Sequence, residues 1–227
     1  MRRALKLLFG ALVILVLVAA GFVAWYVFGD KTPAKPTLSA NAPVSAAGPK
    51  TPDGSWRDVQ NSTHYVGYRI KELFGDSVLK HEVVARTSAV TGTLTVADNR
   101  VTTAVVTANL SQLTSDREAR DAYIRDNALQ SDTFPTARFT LTAPVALPVP
   151  ITRGEKVHEE ATGTLLLHGV VRPVTFTLDA RWNGPTIEVV GTAPIVLRNF
   201  GIVPPNTVIA KVDPTGSMEL DLSFVPR

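Results

Sequence analysis

The chain has 227 residues, with 23 Lys and Arg against 20 Asp and Glu, no cysteine, and a sequence pI near 9.3. Without cysteine it is neither a disulfide scaffold nor a thioether-lipidated lipoprotein, and its stability must come from its core. Residues 1–55 hold six Lys or Arg and two Asp or Glu, which leaves 17 against 18 for the remainder, so the basic balance marks no nucleic-acid footprint and no nucleic-acid partner is expected.

Residues 7–28 run for 22 positions without a charge. As a helix rising about 1.5 Å per residue they would reach roughly 33 Å, enough for a bilayer core. A secretory signal has a shorter apolar region of about 7–15 residues, and the one cleavage-like triplet, Ala40-Asn-Ala42, lies well beyond the run. The segment therefore reads as an uncleaved, single-pass membrane anchor. Arg2, Arg3 and Lys6 precede it, whereas Asp30 partly offsets Lys31 and Lys35 after it, which favours a cytoplasmic N-terminus and an extracytoplasmic C-terminal domain. Trp25 and Tyr26 suit the outer interface. Residues 30–55, rich in Pro, Ala, Ser, Thr and Lys, are too poor in large apolar groups to offset the entropy of ordering and read as a tether. The expected organisation is a stub and anchor over 1–29, a linker over 30–55, and one domain with a sizeable core over 56–227.

Within that domain the pattern is all-β. Residues 64–70, 83–86, 92–96, 101–110, 138–143 and 164–168 read as strands, separated by turn signals such as Ala97-Asp-Asn-Arg100 and Asn183-Gly-Pro185. Around residues 175–181 the period of two is clean, with Val174, Phe176, Leu178, Ala180 and Trp182 on one face and Thr175, Thr177, Asp179 and Arg181 on the other. Ile187, Val189, Gly191, Ala193 and Ile195 alternate with polar neighbours in the same way, as do Met218, Leu220, Leu222 and Phe224. Eight or nine such strands predict a closed antiparallel barrel or a sandwich. A barrel of about eight strands can be filled by side chains or can hold one small ligand. Many of the positions that share the inner face are small, Ala104, Ala108, Ala137, Ala180 and Ala193 among them, which fits either a tapered packed barrel or a hollow one.

One charged interruption breaks the strands, residues 110–129. Ser115 followed by Glu118 reads as a capping box that starts a helix near Ser115. Asp116 with Arg120, Arg117 with Asp121, and Asp121 with Arg125 lie four apart, while Ala119, Ala122, Tyr123 and Leu129 supply an apolar side, as in a lid lying on the barrel. Pro135 ends helical geometry before Phe139 and Leu141 resume a strand.

The helix with Arg120-Asp121, then Phe134-Pro-Thr-Ala-Arg-Phe139, Gly163-Thr-Leu-Leu-Leu-His-Gly-Val-Val-Arg-Pro-Val174 and Gly191-Thr-Ala-Pro-Ile-Val-Leu-Arg-Asn-Phe-Gly-Ile202, occur in an order that resembles the YceI-like family of polyisoprenoid-binding proteins. The resemblance implies a lipocalin-like antiparallel barrel whose tunnel holds a long isoprenoid, a polyprenyl phosphate or an isoprenoid quinone. The family's usual first block, a His-Leu pair between the opening strands, is replaced here by Gly67-Tyr-Arg-Ile-Lys-Glu72. On this reading Val106, Ala108, Leu110, Tyr123, Phe134, Phe139, Leu141, Phe176, Leu178, Ala180, Trp182 and Phe224 line the tunnel. Arg117, Arg120 and Arg125 could grip a head group, since a guanidinium pairs bidentately with phosphate, although their four-apart carboxylates can equally compensate them. The alternative is a filled barrel that serves as an envelope interaction or stress-response module with an unknown protein partner.

Catalysis and metal binding are not expected. His64, His81, His158 and His168 fall in separate segments, and no pair has the spacing of a helical metal motif. His158-Glu-Glu160 reads as a solvated turn and His168 as a strand-end residue bonded to backbone. Ser77 lacks a nucleophile elbow, there is no Gly-rich phosphate loop after a strand, and no cofactor is implied beyond the bound lipid.

Overall fold

In the computed structural model, residues 14, 17–18, 32–40, 43–59, 63–74, 80–206 and 210–227 are described. The expected anchor over residues 7–28 lies outside them except for Ile14, Leu17 and Val18, which are helical, and Ser77 and the Asn-Ala of the cleavage-like triplet also lie outside. No helix among the described residues is long and apolar enough to cross a membrane.

Among the described residues, eleven strands form one antiparallel sheet: β1 (Gly54–Asp58), β2 (Tyr65–Phe74), β3 (Lys80–Thr87), β4 (Val90–Ala97), β5 (Arg100–Asn109), β6 (Thr136–Leu141), β7 (Val145–Ala146), β8 (Lys156–Leu167), β9 (Val170–Trp182), β10 (Ile187–Val196) and β11 (Ala210–Pro226). Eight of them close a ring in the order β1, β4, β5, β6, β8, β9, β10, β11, with β1 joining β4 on one side to β11 on the other. Closure removes the exposed edges an open sheet of this size would carry. The 17-residue β11 is long enough to serve two partners along one edge. Its end pairs with β1 at Phe224 to Pro226, and its earlier part pairs with β2, which carries β3.

Local chemistry sets the corners. Asp98 and Asn99 both take positive φ, 53° and 54°, and join β4 to β5 by the two-residue turn whose twist matches its strands. His168 and Gly169, with φ of 51° and 73°, do the same between β8 and β9. The alternation read from the sequence is the alternation of the barrel: Val90, Gly92, Leu94 and Val96 of β4 are buried, as are Val157, Ala161, Leu165 and Leu167 of β8.

Three local expectations are corrected. The helix, α1, runs from Glu118 to Tyr123 and passes into a π-helical turn at Ile124–Ala128; it does not begin at Ser115. Asp121 is buried and its Oδ1 accepts from the Ser115 backbone N–H (2.8 Å) and hydroxyl (2.6 Å), so the carboxylate that reaches back is Asp121. A carboxylate under a helix needs donors, and Ser115 supplies both. His158, Glu159 and Glu160 are part of β8 because the strand pairs with β9 from Lys156 to Leu167. Residues 43–53, expected within a free linker, are hydrogen-bonded to the barrel. Ser45 N–H donates to Asn183 O (3.1 Å), Arg153 Nη1 donates to Ser45 O (2.9 Å), and Trp56 Nε1 donates to Pro52 O (2.8 Å).

The core is divided. One cluster gathers Trp56, Leu94, Val96, Trp182, Leu222 and Phe224 at the end where β1 closes the ring. The other gathers Leu110, Leu165, Leu167, Phe176, Phe200, Ile202 and Met218 near α1.

Candidate functional site

Side chains from both clusters leave the barrel unfilled between them. A cavity of about 640 Å³ runs through the interior, within the size range of small-molecule sites. Of the tunnel residues expected from sequence, Val106, Ala108 and Leu110 of β5 and its following turn, Phe139 and Leu141 of β6, Phe176, Leu178, Ala180 and Trp182 of β9, Phe224 of β11 and Tyr123 of α1 stand on its wall. Alternation puts them there, since each strand turns every second side chain inward. Phe139 and Phe176 meet edge to face with ring centroids 5.3 Å apart, which fixes both rings.

Phe134 is the exception. Its ring packs edge-on against His168 at 4.5 Å and lies over Gly169, so it clamps the β8–β9 turn from outside the cavity. Gly169 permits this approach, because a Cβ there would lie 2.8 Å from the Phe134 ring. His168 is held between Phe200 O, 3.1 Å from its Nδ1, and the Gln130 side-chain amide, whose Oε1 lies 3.0 Å from its Nε2.

The three arginines separate. Arg117 and Arg120 stand at the cavity and Arg125 does not, because the π-helical turn carries it past the opening. Arg120 is already engaged. Its Nη2 lies 3.3 Å from Glu72 Oε2, and its Nη1 bonds Asp116 Oδ1, the expected four-apart partner. Arg117 Nε lies 3.6 Å from Asp116 Oδ2.

Sequence reasoning missed the contribution of β2. Val66, Tyr68, Ile70 and Glu72 face the cavity, while Arg69 on the opposite face forms a buried ionic cluster. Arg69 Nε reaches Glu219 Oε1 at 2.5 Å and its Nη1 reaches Glu82 Oε2 at 2.8 Å; Arg86 Nη2 lies 3.3 Å from Glu219 Oε2. The missed signal was the same period of two, interrupted to the eye by charges on both faces. Burial pushes the Tyr68 phenol well above its ordinary pKa; Arg120 opposes this, and Asp121, Glu72 and Asp116 add to it. Glu159 of β8 is a second unforeseen polar residue on the wall, toward the other end. Among the described residues, no three His, Cys, Asp or Glu side chains gather as a metal site.

The arrangement suits a long apolar guest: a mostly hydrocarbon wall that includes Trp182 toward one end, with Tyr68, Glu72, Arg117 and Arg120 beside α1 at the other. Comparison with known proteins agrees with the architecture. A polyisoprenoid binding domain from Saccharophagus degradans implicated in plant cell wall breakdown superposes with a TM-score of 0.58 at 15% identity, covering 75% of this chain and 98% of that one. Burkholderia cenocepacia BcnA superposes with a TM-score of 0.52 at 17% identity, covering 69% and 95% respectively. At these identities the likeness establishes the fold. No curated protein matches the sequence. The YceI-like domain model matches residues 58–224, from the end of β1 to the end of β11, and the chain belongs to that family.

Proposed function

We propose that this protein is a membrane-tethered, extracytoplasmic binding or carrier protein that holds a polyisoprenoid lipid, a polyprenyl phosphate or an isoprenoid quinone, in its barrel, and that it is not an enzyme. The observation that carries the reading is the 640 Å³ apolar cavity inside a YceI-like barrel. The fold it shares with a polyisoprenoid binding domain supports the ligand class. Each methylene-sized group taken from water stabilises the complex by about 0.8 kcal/mol, so a hydrocarbon wall needs few polar contacts to hold such a chain. The tether rests on the uncharged run at residues 7–28.

Native mass spectrometry of the purified protein, with organic extraction and mass analysis of the extract, tests the reading. A stoichiometric isoprenoid is expected. Ala108→Phe and Ala180→Phe place a ring in the cavity and should abolish retention while the barrel still melts cooperatively. Undiminished retention in a folded double variant, or an empty parent protein that refuses added isoprenoid, would count against it.

A further inference from the structure

Each of the eight ring strands is hydrogen-bonded to a neighbour on both sides, so a guest cannot pass between them without breaking a backbone ladder. Residues 115–130 present no such obstacle. They form an excursion between β5 and β6, take part in no strand pairing, and supply Arg117, Ala119, Arg120, Tyr123, Ile124 and Ala128 to the cavity wall. Both ends of the excursion are pinned to the barrel. Thr114 exchanges two backbone hydrogen bonds with Arg86 of β3 (2.8 and 3.0 Å), Leu110 N–H donates to Pro135 O (2.8 Å), and the Ser111 hydroxyl donates to Ser131 O (3.3 Å).

Between those pins the segment is braced internally, since Asp121 accepts from Ser115 and Arg120 bonds Asp116, so it can move as one body. Among its side-chain ties to the barrel are Arg120 Nη2 to Glu72 Oε2 on β2, at 3.3 Å, and Gln130 Oε1 to His168 Nε2 at the β8–β9 turn, at 3.0 Å. Its other features belong to the low-stability end of a fold. The helix is six residues long and gives way to the π-helical turn, Gln130 takes a positive φ of 48°, and Tyr123 is 42% exposed although it stands on the wall.

We infer that residues 115–130 are the gate of the cavity: the segment swings about its pinned ends, the Arg120–Glu72 pair is its latch, and a guest enters and leaves beneath it. This rests on the carrier reading and adds the route by which the guest is exchanged.

The sequence has no cysteine, so a reversible lock can be placed on the latch alone. Full-length protein carrying Glu72→Cys and Arg120→Cys, held in an amphipathic polymer, is bridged by a bifunctional methanethiosulfonate that a reducing agent removes. Uptake and release of a dansyl-labelled geranylgeranyl chain are followed by stopped-flow energy transfer from tryptophan, Trp182 being on the wall. Bridging before loading should slow uptake at least about tenfold, and bridging after loading should slow release as much. Reduction should restore both rates in the same molecules, which shows that the barrel stayed folded. Gln130 lies off the wall, and Gln130→Asn keeps a residue that tolerates positive φ while withdrawing the amide from His168. Loss of that hydrogen bond should raise uptake and release rates together, about three- to tenfold, and leave Kd unchanged. Bridged protein that exchanges the probe as fast as reduced protein, or a Gln130→Asn variant whose Kd changes while its uptake rate does not, overturns the gate and leaves the carrier reading standing. Parent protein that takes up no probe overturns the carrier reading itself.

Discussion

Glu219 shows what a single buried charge demands. Its side chain is fully inaccessible, on the outer face of β11, and it survives there because Arg69 and Arg86 reach it from β2 and β3. Replacing it with glutamine keeps the shape and removes the carboxylate that the two guanidiniums share, leaving Arg69 with Glu82. Loss of one partner from a buried pair costs about 3–5 kcal/mol, so Glu219→Gln should lower stability by about that amount in urea unfolding. A loss under about 1 kcal/mol would mean that solvent reaches the cluster. Asp179 shows the opposite regime. It is a surface carboxylate that burial nudges upward, but hydrogen bonds from Lys156 (2.8 Å) and His158 (2.8 Å), and their charges, hold it below its ordinary pKa. A carboxyl depressed in the folded state contributes its stability above the unfolded value of about 3.9 and loses it as pH falls through the folded value. Asp179→Asn should therefore cost about 0.2–1 kcal/mol near neutral pH, and parent and variant should converge in stability as the pH falls through the depressed folded value. A difference that persists unchanged in acid would assign the effect to packing of the side chain.

At the scale of elements, what the sequence disclosed follows the burial contrast. Strands with one wet and one dry face, such as β9 and β11, could be read directly because each polar position is solvated and each apolar one is not. β2 was harder, since Arg69 is buried among acids on one face and Glu72 stands at the cavity on the other, so charge no longer marks the outside. The stretch 43–53 could not be read at all. It has almost no large apolar groups, and what orders it is backbone hydrogen bonding to Arg153, Asn183 and Trp56, partners far away in sequence that composition cannot reveal. A chain truncated to begin at Ser55 loses those bonds and the Pro52 contact with the cavity wall. At roughly 0.5–1.5 kcal/mol for each hydrogen bond, it should unfold about 2–4 kcal/mol more easily than one that begins at Ala34, by chemical denaturation. Equal midpoints for the two would show that the segment rests on the barrel without stabilising it. Gly163 is a further element-scale constraint: a Cβ there would lie 2.4 Å from Thr140 O and 2.5 Å from the Phe139 ring. Gly163→Ala should part β6 from β8 or drive Phe139 toward the cavity, at a cost of about 1–3 kcal/mol in thermal unfolding.

The barrel of residues 54–226 holds two clusters, with Leu220 packed against both and the cavity running between them, and its stability is therefore coupled to what that cavity holds. Side chains that face an empty volume forgo the dispersion contacts a packed core would supply, and a guest restores them only in the folded state. A ligand present at a hundredfold excess over its Kd stabilises the fold by about 2.7 kcal/mol. For a domain of this size that corresponds to a rise in Tm of roughly 5–10 °C. Lipid-stripped protein should accordingly melt lower than protein reloaded with an isoprenoid, by differential scanning calorimetry, and the increment should grow with ligand concentration. The two cavity-filling variants separate this linkage from generic stabilisation by lipid. With a Phe ring in place of Ala108 and Ala180, the passage is obstructed for a long isoprenoid, so the Tm of the double variant should respond little to lipid. A lipid-dependent rise of equal size in parent and double variant would place the lipid on the outer surface, and the hollow between the clusters would then need another occupant.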